Sequence, residues 1–273
     1  MYETTYLRAS TLEEAVAWLR EHDEARPLSG GMTLIPTLKQ RLAAPSHLID
    51  LTRIDALHGI AVVDGALRIG ALTRHAEVAA SPIVAATIPA LAELANVIAD
   101  PQVRNRGTMG GSVANNDPAA DYPSAVLALN AQVITSERRI AADDYFVDTF
   151  ETALAPDELV TAIEYAIPLR AAYAKFRQPA SGYAVVGVFI AHYPDAVRVG
   201  VTGAGASVFR WRDAEDALTR ELSEASLAAV KADPSTLPDD DNASAVYRAH
   251  LIETYARRAL QTLLAQPLRP AAQ

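Results

Sequence analysis

Thr108-Met109-Gly110-Gly111-Ser112-Val113-Ala114-Asn115-Asn116-Asp117-Pro118-Ala119-Ala120-Asp121-Tyr122-Pro123 sits near the middle of a 273-residue chain. Two adjacent glycines stand between hydroxyls, and amides, carboxylates and prolines follow. Glycine lets a backbone take a positive φ and come close to a ligand. The whole stretch from Arg104 to Pro123 has little regular periodicity, and long irregular segments within compact domains are usually functional. The plainer alternative is a pair of Asx turns before prolines, at Asp117 and Asp121.

A smaller version of the same chemistry lies upstream, at Ser29-Gly30-Gly31-Met32-Thr33-Leu34. It falls between a strand expected at Arg26-Pro27-Leu28 and a helical pattern from Leu34 to Leu42, with Pro36 in its first turn. Unpartnered N–H groups at such a turn suit a phosphate or pyrophosphate, and Ser29 and Thr33 offer hydroxyls. Alone, a glycine pair there is as often a simple turn. The motif is neither a Walker loop nor a Rossmann fingerprint. Two glycine–hydroxyl loops, Ser29 to Leu34 and Thr108 to Ser112, suit a diphosphate held from both sides, as in a dinucleotide. Asp117 and Asp121 are then placed to accept from ring or ribose donors.

Outward from these loops the pattern is α+β. Thr5 to Leu7 reads as a strand, Ser10-Thr11-Leu12-Glu13 as a capping box, and Leu12, Ala15, Val16 and Leu19 as a helical stripe. His47 to Leu51 is a further strand. Gly59 to Val63 and Ala66 to Gly70 flank Asp64-Gly65, a two-residue hairpin signal. Thr73 to Ala80 and Ile83 to Ile98 have helical spacing. Val126 to Tyr165 alternates short strands and turns, and Pro168 to Tyr173 reads as a linker. Beyond it, Ala184 to Ala191 and Val197 to Gly203 read as antiparallel strands. Glu215 to Leu222 and Ser226 to Lys231 read as short helices, and Ser244 to Leu264 as a long one.

These segments resemble the FAD-binding medium subunit of carbon monoxide dehydrogenase and related molybdenum hydroxylases of the xanthine dehydrogenase family. The likeness continues through Lys175-Phe176-Arg177-Gln178-Pro179-Ala180-Ser181-Gly182-Tyr183, Gly200-Val201-Thr202-Gly203-Ala204-Gly205 and Tyr247-Arg248-Ala249-His250-Leu251, and so covers nearly the whole chain in order. It implies a two-lobed FAD-binding domain of the vanillyl-alcohol oxidase (PCMH) type over 1–170, with lobes of about 1–55 and 56–170. A small C-terminal domain of antiparallel strands and helices, 171–273, would complete the flavin cleft. Ser29, Gly30, Gly31, Met32, Thr33 and Leu34 then match one pyrophosphate loop. Thr108, Met109, Gly110, Gly111 and Ser112 match the other, Asp121 matches a carboxylate near the flavin, and Lys175 and Tyr183 fall in a segment beside the isoalloxazine ring. The family's first loop usually begins with alanine and ends with serine, and isoleucine is common at the position of Met109. These departures remove no backbone donor.

The resemblance also implies partners: a large molybdenum-cofactor subunit, a small iron–sulfur subunit carrying [2Fe-2S] clusters, and an external electron acceptor such as a quinone or NAD. Composition is consistent with this. The chain has no cysteine, so it holds no thiolate-bound cluster, zinc or disulfide. A redox role requires an organic cofactor, which the resemblance implies is non-covalent FAD, with the molybdenum cofactor and clusters on other chains. A net charge of −9 argues against nucleic acid. No apolar run is long enough to span a bilayer, and no signal peptide is visible, so a cytoplasmic location is expected. The six histidines lack metal-ligand spacing and read as surface or core residues; no catalytic residue is nominated. Asn242-Ala243-Ser244 is a formal glycosylation sequon without an export signal. A stand-alone FAD-dependent oxidoreductase and a non-catalytic assembly subunit remain the alternatives.

Overall fold

The computed structural model describes residues 1–241 and 243–268. Asn242 of the sequon and the last five residues of the C-terminal segment lie outside the described residues.

Three units follow one another along the chain. In the first, β1 (Thr5–Arg8), α1 (Leu12–Glu21), β2 (Arg26–Leu28), α2 (Leu34–Lys39) and β3 (His47–Asp50) form a small α/β layer, with β3 central and parallel to both neighbours. The cap of α1 is Thr11, not Ser10: its hydroxyl accepts from Glu14 N, while the Glu14 carboxylate accepts from Ser10 N. The expected Ser10–Glu13 capping box is therefore replaced by a Thr11 cap whose N3 residue, Glu14, reaches past it to the preceding N–H. Helix α2 stops at Lys39 rather than Leu42.

The second unit begins with the hairpin β4 (Ile60–Val63) and β5 (Ala66–Gly70). Its turn residues Asp64 and Gly65 both have positive φ, 49° and 77°, as a two-residue turn between twisted strands requires. Helices α3 (His75–Ala80), α4 (Pro82–Thr87), α5 (Pro89–Asn96), α6 (Pro101–Arg104), α7 (Met109–Asn115) and α8 (Tyr122–Ala128) follow. The expected single helix from Ile83 to Ile98 is broken at Pro89, which lacks the N–H to continue α4 but is well suited to open α5. The expected irregular stretch from Arg104 to Pro123 contains α7 and the start of α8. Strands β6 (Gln132–Thr135) and β7 (Arg139–Ala141), helix α9 (Ala142–Tyr145), the ribbon β8 (Phe146–Asp148) and β9 (Glu151–Thr152), and β10 (Val160–Ala166) complete the unit. Its sheet runs β4-β5-β10-β6-β7. Leu67, Ile69, Val133 and Ile163 from the sheet bury against Leu91, Leu94, Val113 and Val126 from the helices.

In the third unit β11 (Arg170–Arg177), β12 (Ala184–His192), β13 (Val197–Thr202) and β14 (Phe209–Arg210) make an antiparallel sheet in sequence order. Strand β11 starts at Arg170, so most of the expected linker is strand. Strand β12 is buried on both faces: Phe189 and Ala191 face the second unit's core, while Val186, Val188 and Ile190 pack beneath α12. Helices α10 (Arg212–Arg220), α11 (Glu224–Ala228) and α12 (Ala245–Ala265) cover that outer face. No helix among the described residues is long and apolar enough to cross a membrane.

Candidate functional site

Between the units lies a cleft of about 530 Å³, a size typical of small-molecule sites. Both glycine segments line it, and they meet: the Thr108 hydroxyl donates to Ser29 Oγ at 3.1 Å, although the residues are 79 apart in sequence. Gly30 and Gly111 make this approach possible. A Cβ on Gly30 would collide with the Arg106 carbonyl, and one on Gly111 would sit 2.8 Å from both Ser29 Oγ and Thr108 Oγ1.

The loops divide the work unequally. In the second, the N–H groups are already used: Met109 donates to Thr73 O, Gly110 to Ala71 O, Gly111 to Thr108 Oγ1 and Ser112 to Thr108 O. These bonds, with Thr108 as N-cap, are why so glycine-rich a stretch forms α7. In the first loop, among the described residues, the backbone N–H groups from Ser29 to Leu34 find no acceptor. Gly31, at φ +71°, turns the chain there. A run of unclaimed donors beside the cleft suits an anion, so the spare donor capacity lies in the loop with the less specific sequence.

The second loop continues into a segment clamped by the third unit. Thr202 Oγ1 donates to the carbonyl of Ala120 at 2.6 Å and lies within 3.0 Å of that of Pro118; Gly203 N donates to Pro118 O and Ala184 N to Ala119 O. Asp117 Oδ1 accepts from Ala119 N, an Asx turn, and the residue still lines the cleft; burial raises its carboxyl above the usual range. Asn116, in the left-handed region, donates to the carbonyls of Asp148 and Glu151.

Asp121 opens α8 and is fully buried between two residues of β11. Its carboxylate lies 2.8 Å from Lys175 Nζ and accepts from the Tyr173 hydroxyl at 2.6 Å. Burial pushes this carboxyl upward, against the pull of Lys175 and Tyr173. Tyr183, at the β11–β12 hairpin, is partly exposed, has Thr33 and Asp117 as neighbours, and has its phenol raised, chiefly by burial.

All the expected site residues line the cleft except Met109 and Lys175. Met109 is buried in the core, where its sulfur accepts from the Tyr165 hydroxyl at 3.1 Å; it anchors α7 and does not face a ligand. Lys175 stands behind Asp121, with its ammonium also on the Val97 carbonyl at 3.1 Å.

Sequence reasoning missed three parts of the cleft. The first is an apolar end that includes Leu51, Leu57, Leu72, Leu159 and Val160, drawn from distant segments. The second is Ile98-Ala99-Asp100, where Ala99 has φ +42°. The third is His75, 4% exposed, whose Nδ1 has no partner and whose pKa burial lowers to about 4, with Arg104 adding to the effect. Its ring meets Tyr122 edge-on at 5.2 Å, and the Tyr122 hydroxyl is likewise unpartnered. Asp100 caps α6 with Pro101 in its first turn, but nothing local in the sequence marks Ala99 or His75. Among the described residues no cluster of three or more histidines, cysteines and carboxylates could hold a metal.

Residues 2–169 match the model of the FAD binding domain in molybdopterin dehydrogenase. The nicotine 6-hydroxylase medium subunit of Paenarthrobacter nicotinovorans is 36% identical, over 93% of this chain and 95% of the relative. The glyceraldehyde dehydrogenase medium chain of Sulfolobus acidocaldarius is 31% identical, over 95% and 98%. Among solved structures, a chain of reconstituted CO dehydrogenase from Oligotropha carboxidovorans superposes with a TM-score of 0.90 at 31% identity, over 97% of this chain and 99% of that one. The two glycine loops, the cleft they close and these full-length likenesses agree: the chain belongs to the family of FAD-binding medium subunits of molybdopterin dehydrogenases.

Proposed function

We propose that this chain is the electron-transfer subunit of a molybdenum-dependent hydroxylase complex, taking electrons from iron–sulfur clusters on a small partner and passing them to an external acceptor. A large partner would carry the molybdenum cofactor and act on the substrate. The observation that carries the reading is the run of unclaimed N–H groups from Ser29 to Leu34, on a cleft lined by both leucines and carboxylates.

FAD fits this cleft by its chemistry. The first loop's N–H groups and the hydroxyls of Ser29, Thr33 and Ser112 would hold the pyrophosphate, with Thr108 orienting Ser29. The leucine-lined end suits the adenine, and the end with Asp117, Asp121 and Tyr183 suits the isoalloxazine ring. When bound, FAD supplies the ability to accept electrons singly and release them singly or in pairs. Around it the chain binds, orients and sets the electrostatics: Lys175 neutralises Asp121, and Tyr183 shields one side of the polar end. The chain has no cysteine with which to hold a cluster, so the electron source must lie on another subunit.

The FAD-binding part is proposed to extend over 1–170 and the C-terminal domain over 171–273. The substrate class of the whole complex is carbon monoxide, an aldehyde or an aromatic heterocycle, and the acceptor a quinone, NAD or similar. Relatives of comparable identity are named for nicotine and for glyceraldehyde, which fits a substrate choice made on another chain. The test is a visible spectrum of the complex purified with its natural partners, followed by acid precipitation. Flavin bands and about one FAD per chain in the supernatant are expected; an intact complex without flavin overturns the reading.

A further inference from the structure

Two arginines at the polar end of the cleft share one carbonyl. Arg104 Nη1 donates to Ile98 O at 2.8 Å and to Ala99 O at 3.3 Å, and Arg177 Nη2 donates to the same Ala99 O at 2.9 Å. One comes from α6 and the other from the end of β11. Guanidinium groups meeting on one neutral oxygen repel each other, and such pairs are normally offset by a carboxylate. None is present here. Among the described residues neither arginine has a carboxylate within 4.0 Å, and nor do the exposed Arg74 and Arg106 on the neighbouring segments. In a chain of net charge −9 this is an unusual local excess of cations.

The pair is coupled to the cleft. Ala99 lines it, and the charge of Arg104 is felt at His75 and that of Arg177 at Asp121, both lining residues. Arg104 is half-buried and Arg177 exposed, and the β11–β12 hairpin packs against them: a Cβ on Gly182 would lie 2.8 Å from Arg177 Nη2 and 3.1 Å from Ala99 Cα. Arg104 uses one of its nitrogens on the carbonyls and Arg177 another, so N–H groups of both remain for an anion.

We propose that Arg104 and Arg177 form an anion site at the rim of the cleft that captures the negatively charged group of a small diffusible electron acceptor. The inference rests on the function proposed above. The arginines bind and orient and make no bond to the acceptor. In the test reaction two ferricyanide ions each take one electron from the two-electron-reduced cofactor, whose protons pass to water.

The experiment uses the flavin-replete complex, with flavin content checked first; a parent complex without flavin sinks the proposed function, while the anion titration, which needs no flavin, still decides this site. Hexacyanocobaltate(III), a redox-inert trivalent anion, is titrated calorimetrically, and flavin reoxidation is followed in stopped flow with ferricyanide and with an uncharged short-chain benzoquinone. Saturable anion binding is expected. Arg104→Met with Arg177→Met should weaken it about tenfold or more and slow ferricyanide to a similar degree, leaving the quinone rate within about twofold. Ferricyanide rates in the parent should fall with added salt, quinone rates should not. Where the methionine pair loses flavin, Arg104→Lys with Arg177→Lys keeps the charge and should retain most of the ferricyanide rate. Absence of saturable binding, an equal loss with both acceptors, or arginines found covered by a partner subunit overturns the proposal.

Discussion

At the level of single residues, the two glycines that look equivalent in Thr108-Met109-Gly110-Gly111-Ser112 have different tasks. A side chain on Gly111 would meet Ser29 Oγ and Thr108 Oγ1, whereas one on Gly110 would meet Ala71, just past β5, with Cβ atoms 2.5 Å apart. Gly111→Val is therefore expected to part the loops and leave a folded protein with little flavin. Gly110→Val should first destabilise the fold, by about 1–3 kcal/mol or more as in overpacked cores. Urea unfolding alongside flavin content separates the two; identical behaviour of both variants would contradict the assignment. His75 gives a second test. Its folded pKa, lowered from 6.5 to about 4, means that the unfolded chain binds the proton first as pH falls. The stability tied to the neutral ring is thus complete above about pH 6.5 and lost as pH falls through about 4. His75→Gln should flatten the dependence of Tm on pH over that window; an unchanged slope would assign it to other groups.

Elements were legible wherever local chemistry decided them, and hidden wherever tertiary contacts did. The Asp64-Gly65 turn, the strands β12 and β13 and the long α12 all announce themselves by turn residues or periodicity. Helix α7 did not, because glycine disfavours helix; its cap and the buried Met109 and Val113 override that propensity. The loops themselves were visible as glycine–hydroxyl motifs, but which one keeps its donors free depends on Thr73 and Ala71, which no motif connects to them. The apolar end of the cleft was equally hidden, since its leucines come from separate segments. Strand β13 packs directly on α8: a Cβ at Gly200 would strike the Ser124 carbonyl. Gly200→Ala should push the strand away from the helix that carries Asp121. Reduced stability together with weaker flavin retention is expected, read by thermal melts and flavin release; loss of stability with unchanged flavin affinity would uncouple strand from site.

Across the whole molecule, the cleft is shared by all three units, so a ligand filling it should stabilise each of them. FAD at about 100 times its Kd should add roughly 2.7 kcal/mol to unfolding. Amide exchange should slow not only in the glycine loops but also in β12 and β13, which grip the second segment at residues 118–120; protection confined to the loops would show that the third unit is a bystander. The grip of Ala184, Thr202 and Gly203 on the carbonyls of residues 118–120 has a further consequence, in time rather than space. Ribosomes deliver a chain from its N-terminus at about 5–20 residues per second, so the strands that fix this loop emerge roughly 4–16 s after the loop itself. Throughout that interval the nascent chain carries both glycine motifs without the frame that holds the second in place. Cofactor capture is therefore a late event of biosynthesis, and the vacant nascent chain is the form that chaperones meet first.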